Sequence, residues 1–195
     1  MTDNTKSSKI PSSTAKPNAV QGIMKQSSIP NRYIFEFNGL KIYEWDQNLD
    51  EVNIYIDAPS GRKASDFDII IQANNLKVGI KGHDRYFIDE KTFGKVDTSE
   101  SSWYLDESIL HIILIKVSRG SVWEQVLMGR GYDKEEGSSD VTKRSLIDPL
   151  TKEKMTQELM LERFGEENPG FDFRDAQFNG AVPDPRTFMG GVKYV

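Results

Sequence analysis

The sequence predicts an all-β fold, a seven-stranded antiparallel β-sandwich with a C-terminal α-helical extension. Two patterns carry this expectation. Between residues 40 and 117, short runs alternate apolar and polar side chains at period two, with turn-forming residues between them. Beyond residue 148 the period lengthens and helix start and stop residues appear. A chain of 195 residues suits one domain plus flanking segments, because a single core serves roughly 100–200 residues.

In chain order, residues 1–30 are rich in Ser, Thr, Asn, Pro and Lys, and Lys6, Lys9, Lys16 and Lys25 oppose only Asp3. Such a stretch buries too little apolar surface to offset its ordering entropy, so it reads as a flexible basic tail. The sandwich is expected over residues 31–130. Tyr43 and Trp45 share one side of its first strand. In the second, Val52, Ile54 and Ile56 alternate with Asn53, Tyr55 and Asp57 until Ala58-Pro59-Ser60-Gly61 stops the run. Phe67, Ile69 and Ile71 line one face of the third, and Ala73-Asn74-Asn75 makes its turn. Leu76, Val78 and Ile80 face inward in the fourth, which leaves Lys77, Gly79 and Lys81 outward. Residues 86–93 and 102–105 supply two more strands.

The seventh strand, residues 109–117, is apolar on both faces. Leu110, Ile112 and Leu114 form one, and Ile109, Ile113, Ile115 and Val117 form the other, with His111 among them. A sandwich strand ordinarily has a wet outer face, so a cover is expected: residues 32–37, a helix after residue 120, or a partner. Residues 123–128 read as a short helix ended by Gly129, and residues 131–148 as a polar loop. A longer helix is expected over 149–165, with Asp148 as N-cap, Pro149 first and Gly165 just past its end. Leu150, Met155, Leu159 and Phe164 give it a partial apolar stripe. Residues 166–195 read as a mostly irregular tail.

Composition removes several functions. A net charge of −5 gains no counterion-release energy on nucleic acid, so no nucleic-acid partner is expected. With no cysteine, thiolate zinc sites and cysteine nucleophiles are excluded. The N-terminus has no apolar signal region and the longest apolar run is too short to cross a bilayer, so a cytoplasmic protein without membrane partners is expected. Gly79-Ile80-Lys81-Gly82 and Gly129-Arg130-Gly131 match neither a P-loop nor a dinucleotide fingerprint. His83 and His111 are the only histidines and lack clustered co-ligands in the sequence. Asp66 with Asp68, and Glu135 with Glu136, read as solvated charges and not as a catalytic pair. No cofactor, no metal and no enzymatic activity are therefore expected.

Three blocks carry a resemblance. Tyr43-Glu44-Trp45-Asp46-Gln47, Leu76-Lys77-Val78-Gly79-Ile80-Lys81-Gly82 and Glu100-Ser101-Ser102-Trp103 resemble, in order and approximate spacing, the signature blocks of the CS domain in the nuclear distribution protein C (NudC) family. Trp123 sits where that family places a tryptophan after the last strand. The segments 159–164 and 167–173 resemble the short NudC-like members. The resemblance implies a seven-stranded sandwich like that of co-chaperones of the ninety-kilodalton heat-shock chaperone. It also implies co-chaperone activity and a role in stabilising client proteins of the dynein and lissencephaly-protein pathway. Longer members dimerise through an N-terminal coiled coil, but residues 1–40 here show no heptads, so the oligomeric state does not follow from the family.

The candidate partner-binding residues are Lys77, Lys81, Trp45 and Trp103. The two lysines on one outward face, with Gly79 between them, would dock an acidic surface. Alternatively they are solvated lysines that discourage edge pairing. The tryptophans would serve as interface anchors, or else fill core corners. Two functions follow: a co-chaperone that presents an outer sheet face to the chaperone and its clients, or a stoichiometric dynein-pathway adaptor that binds through the C-terminal helix. A small heat-shock protein on the same sandwich is disfavoured, because the tail after Phe164 lacks an isoleucine-x-isoleucine/valine assembly motif.

Overall fold

The computed structural model describes residues 23–129 and 147–170. Residues 1–22, 130–146 and 171–195, on which most of the expected basic tail (1–30), polar loop (131–148) and irregular tail (166–195) fall, lie outside the described residues. All seven expected strands are present: β3 (Leu40–Gln47), β4 (Glu51–Asp57), β5 (Phe67–Gln72), β6 (Asn75–Ile80), β7 (Ile88–Lys91), β8 (Val96–Asp106) and β9 (Ile109–Lys116). Two further strands precede them, β1 (Ile23–Gln26) and β2 (Tyr33–Phe37). β1 lies inside the stretch read from composition as tail. It is ordered by antiparallel pairing with β2 and by Met24, which packs on the core.

The strands form two antiparallel sheets. The larger has the order β1-β2-β3-β4-β9-β8 and the smaller β5-β6-β7. Register follows the period-two pattern: Ile54 sits opposite Ile112, Val52 opposite Leu114 and Ile56 opposite Leu110. These six side chains are at most 6% exposed and meet Phe67, Leu76, Val78 and Ile88 of the smaller sheet in one core. β8 is longer than expected, because its register shifts between Asp97 and Ser102 and the strand resumes on the near side of the bulge. Leu114 is fully buried. Its replacement by alanine is expected to cost about 2–5 kcal/mol in urea unfolding, as core leucines do; a cost near zero would mean that it does not face the core.

The segment after β9 is not helical. Trp123, Val126 and Leu127 are buried, and their spacing imitates a helix face. The backbone instead runs beside β7: the Phe93 N–H donates to Val126 O at 2.9 Å and the Met128 N–H to Lys91 O at 2.9 Å. Residues 33–37 do not cover the outer face of β9, since β2 lies in the same sheet as β9.

Helix α1 (Pro149–Glu167) begins as expected, with Asp148 accepting the Thr151 N–H at 3.0 Å and Pro149 at the first position. It ends later than expected. Gly165 lies within it, and the helix stops at Asn168-Pro169-Gly170, where Gly170 has φ +105°. An internal glycine costs a helix only about 1 kcal/mol, whereas Pro169 lacks the N–H to continue it. Its buried residues are Met155, Leu159 and Met160, while Leu150 is 75% exposed.

Candidate functional site

Trp45 lies in the core at 0% exposure, with its ring 5.3 Å from Tyr33 and its indole N–H directed at the Met24 sulfur, 3.1 Å away. Trp103 faces inward opposite Ile112 and packs, half-buried, on the same core. The corner-filling reading describes both positions.

Lys77 lies on the outward side of β6 and Lys81 just past its end, but each is engaged. Lys77 Nζ is 3.2 Å from Asp89 and 5.4 Å above the Tyr86 ring. Lys81 Nζ donates to Ser65 O at 2.9 Å. The space freed by Gly79 belongs to Tyr86: a Cβ on Gly79 would stand 2.7 Å from the Tyr86 ring, whose hydroxyl donates to Asp68 at 2.8 Å. The chain itself thus fills the space beside Gly79, and each of the two lysines has a partner within the chain.

Another face is better equipped. On the outer side of the larger sheet the register aligns Ile34, Glu44, Tyr55, His111 and Tyr104 in one row across five strands. Tyr55 and His111 stack at 4.5 Å, and Tyr104 meets His111 edge-on at 4.8 Å. Arg32 lies over Tyr55 with its guanidinium carbon 3.7 Å from the ring centroid, and it reaches Asp46 at 3.3 Å and Glu44 at 3.8 Å. Such a cation–π contact is worth about 0.5–2 kcal/mol.

Hydrogen bonding fixes the tautomer of His111. The Asn53 amide nitrogen donates to Asp46 at 3.0 Å and to Glu51 at 3.1 Å, which turns Asn53 Oδ1 toward His111 Nε2 at 3.0 Å. Nε2 therefore carries the proton, and Nδ1 accepts from the Tyr104 hydroxyl. Burial holds His111 below the usual imidazole range, against the raising pull of Asp46 and Glu51. A neutral, doubly engaged imidazole locks the row into a preorganised platform. Around it Tyr104 is 46% exposed, Ile109 43% and Val117 58%. Outward-pointing Tyr55 and His111 were visible in the period-two pattern, but their alignment depends on cross-strand register, which no local pattern states.

The middle of the helix stripe, by contrast, is taken up internally. Met155 and Leu159 pack against the sandwich, and the Leu49 N–H donates to Glu162 at 3.2 Å. Lys152 pairs with Glu124 at 2.5 Å, and Arg119 bridges Asp50 and Glu166. Among the described residues no His, Asp and Glu group of three or more could hold a metal ion, and no helix is long and apolar enough to cross a membrane.

Two packed antiparallel sheets define a β-sandwich, with an aromatic platform on one outer face, and residues 41–116 match the CS domain family. The chain is 31% identical over 140 residues to NudC domain-containing protein 2 of Homo sapiens, covering 70% of this chain and 79% of that protein. It is 32% identical to Protein BOBBER 2 of Arabidopsis thaliana, covering 73% of this chain and 56% of the relative. It is 30% identical to Nuclear migration protein nudC of Drosophila melanogaster, covering 72% and 49%. The chain thus spans about half the length of the last two. It belongs to the NudC-like family of CS-domain proteins.

Proposed function

We propose that this protein is a co-chaperone that acts by binding, without turning over a substrate. On this reading it works in the cytoplasm, stabilising clients together with the ninety-kilodalton heat-shock chaperone and serving dynein-pathway proteins. Membership of the NudC-like family supports the class. The observation that carries the choice of surface is the row Tyr55, His111 and Tyr104 with Arg32 stacked on it. Tyrosine and arginine are enriched among residues that dominate interface energetics, and a face already fixed by hydrogen bonds loses little entropy on binding. Lys77 and Lys81 are assigned a lesser, electrostatic part, because exposed ion pairs contribute at most about 1 kcal/mol.

The test is recovery of the heat-shock chaperone from eukaryotic cytosol on the full chain, with and without a non-hydrolysable ATP analogue. A Tyr55→Ala, Tyr104→Ala variant is expected to lower recovery by about tenfold or more. Lys77→Glu with Lys81→Glu should change it by about threefold at most. Dynein-pathway proteins recovered alone, unaffected by the tyrosine variant but lost on truncation after Asp148, would replace this reading with that of an adaptor.

A further inference from the structure

Where β3 turns into β4, the sandwich and α1 enclose a cavity of about 330 Å³. That is well above the roughly 30 Å³ a single water takes in the liquid. Tyr33, Met155 and Leu159 form its floor, each 2% exposed, and Glu158 and Glu162 stand on the helix side. The Tyr33 hydroxyl is buried and has no hydrogen-bond partner. Buried hydroxyls are rarely left so. The amides of Gln47 and Asn48 also line the cavity, but they are already committed. Gln47 is bonded to Trp123 and Lys116, and Asn48 to Asp50 and Glu51.

The charges point one way. Glu158 and Glu162 are one helical turn apart, where like charges repel. Burial raises the pKa of both carboxyls, and burial followed by the charge of Glu158 raises that of the Tyr33 phenol. The neighbouring cations offset this only in part: Lys154 stays 4.0 Å from Glu158, and the charge of Lys116 and the Leu49 N–H act on Glu162 without cancelling the effect of burial. A positive charge entering the cavity would relieve all three groups, and the apolar floor asks for an aliphatic stem beneath it.

We propose that this cavity binds the side chain of a lysine presented by a partner protein, its methylenes against Met155 and Leu159 and its ammonium between the carboxylates of Glu158 and Glu162 and the Tyr33 hydroxyl. The three donors of the ammonium can each reach one of these three groups, and a compact ammonium on a four-carbon stem suits a site with an apolar floor. Two carboxylates make too few ligands for a dedicated divalent-metal site, and no larger group of ligands exists among the described residues.

The experiment titrates the full chain, with 13C-methyl-labelled methionine, against Nα-acetyl-lysine methylamide and follows the Met155 methyl resonance by NMR. A saturable shift in the millimolar range is expected. The norleucine and Nε-acetyl-lysine counterparts should produce none. Glu158→Gln with Glu162→Gln should weaken binding by about tenfold or more, the effect of losing charge-assisted hydrogen bonds. Tyr33→Phe, which keeps the ring, should weaken it by a smaller factor. An equal shift with the norleucine compound would make the cavity a plain apolar slot and overturn the proposal. So would the absence of any shift with the lysine compound, or tighter binding of n-butylammonium, which would assign the site to free amines.

Discussion

Trp45→Ala is expected to destabilise the domain by about 3–5 kcal/mol, the range for large aromatic side chains removed from cores. The ring is at 0% exposure, packs against Tyr33 and sits opposite Ile54 in the register of β3 and β4. Its N–H meets the sulfur of Met24, the β1 residue that packs on the core. Removal should therefore leave a cavity and loosen the attachment of β1 together. In urea the midpoint should fall with little change in slope, the sign of lost stability and not of a changed unfolded state. Any loss of partner binding in this variant should track the unfolded fraction and vanish in conditions that restore folding. A change below about 1 kcal/mol, well under the range for such deletions, accompanied by lost binding, would return Trp45 to the interface.

Lys116→Met is expected to cost about 3 kcal/mol. Lys116 is 5% exposed on the inward face of β9, and its ammonium donates to Gln47 Oε1 at 3.0 Å, Asn48 O at 2.6 Å and Ser121 O at 2.9 Å. Gln47 in turn holds both the N–H and the carbonyl of Trp123. One buried cation thus ties β9, the β3–β4 turn and the segment after β9. Methionine fills the space and leaves carbonyls short of a donor, at roughly 1–3 kcal/mol each, offset in part because no charge is then desolvated.

The pH dependence carries a second signature. Burial lowers the Lys116 pKa to about 8, against about 10.4 in an unfolded chain. Below pH 8 the ammonium is charged in both states and its burial penalty is fully present. From about pH 8 to about 10.4 the unfolded chain retains a proton that the folded one has released, so the stability of the wild type should rise relative to Lys116→Met as pH increases. Denaturation curves across that window check this, and parallel pH profiles would mean that no depressed ammonium lies beneath the β3–β4 turn.

The strands were legible because period two reports which face is buried, and in β9 the pattern and the burial agree at every position. Lys116 carried a signal of the same kind: it continues the inward series Leu110, Ile112 and Leu114, which marks it as a buried cation needing acceptors. The segment around Trp123 misled because three buried residues at helical spacing can equally be held by pairing with β7. The late end of α1 shows a weak local preference, that of Gly165 against helix, yielding to the stronger stop at Pro169. Side-chain alternation placed Lys77 and Lys81 on one face, but it could not reveal that Tyr86, five residues beyond Lys81, folds back over Gly79. The cavity under α1 was illegible for a deeper reason. Tyr33 and Glu158 are more than a hundred residues apart, and only the docking of the helix makes them neighbours.

The bulge in β8 bears on what this protein must avoid. β8 is an outermost strand of the larger sheet, and its ladder is interrupted between Asp97 and Ser102. There Ser99 turns its N–H and its hydroxyl onto Asp97, at 2.9 and 2.6 Å, while the Ser101 hydroxyl bonds back to the Asp97 carbonyl at 2.6 Å. An unbroken edge of eleven residues would be a template on which another extended chain could add itself as a further strand and seed a growing aggregate. The kink and its acidic, serine-rich sequence shorten that template. On the proposed co-chaperone reading, such an edge lets the protein hold partly unfolded polypeptides by side chains on its face without joining them through its own backbone.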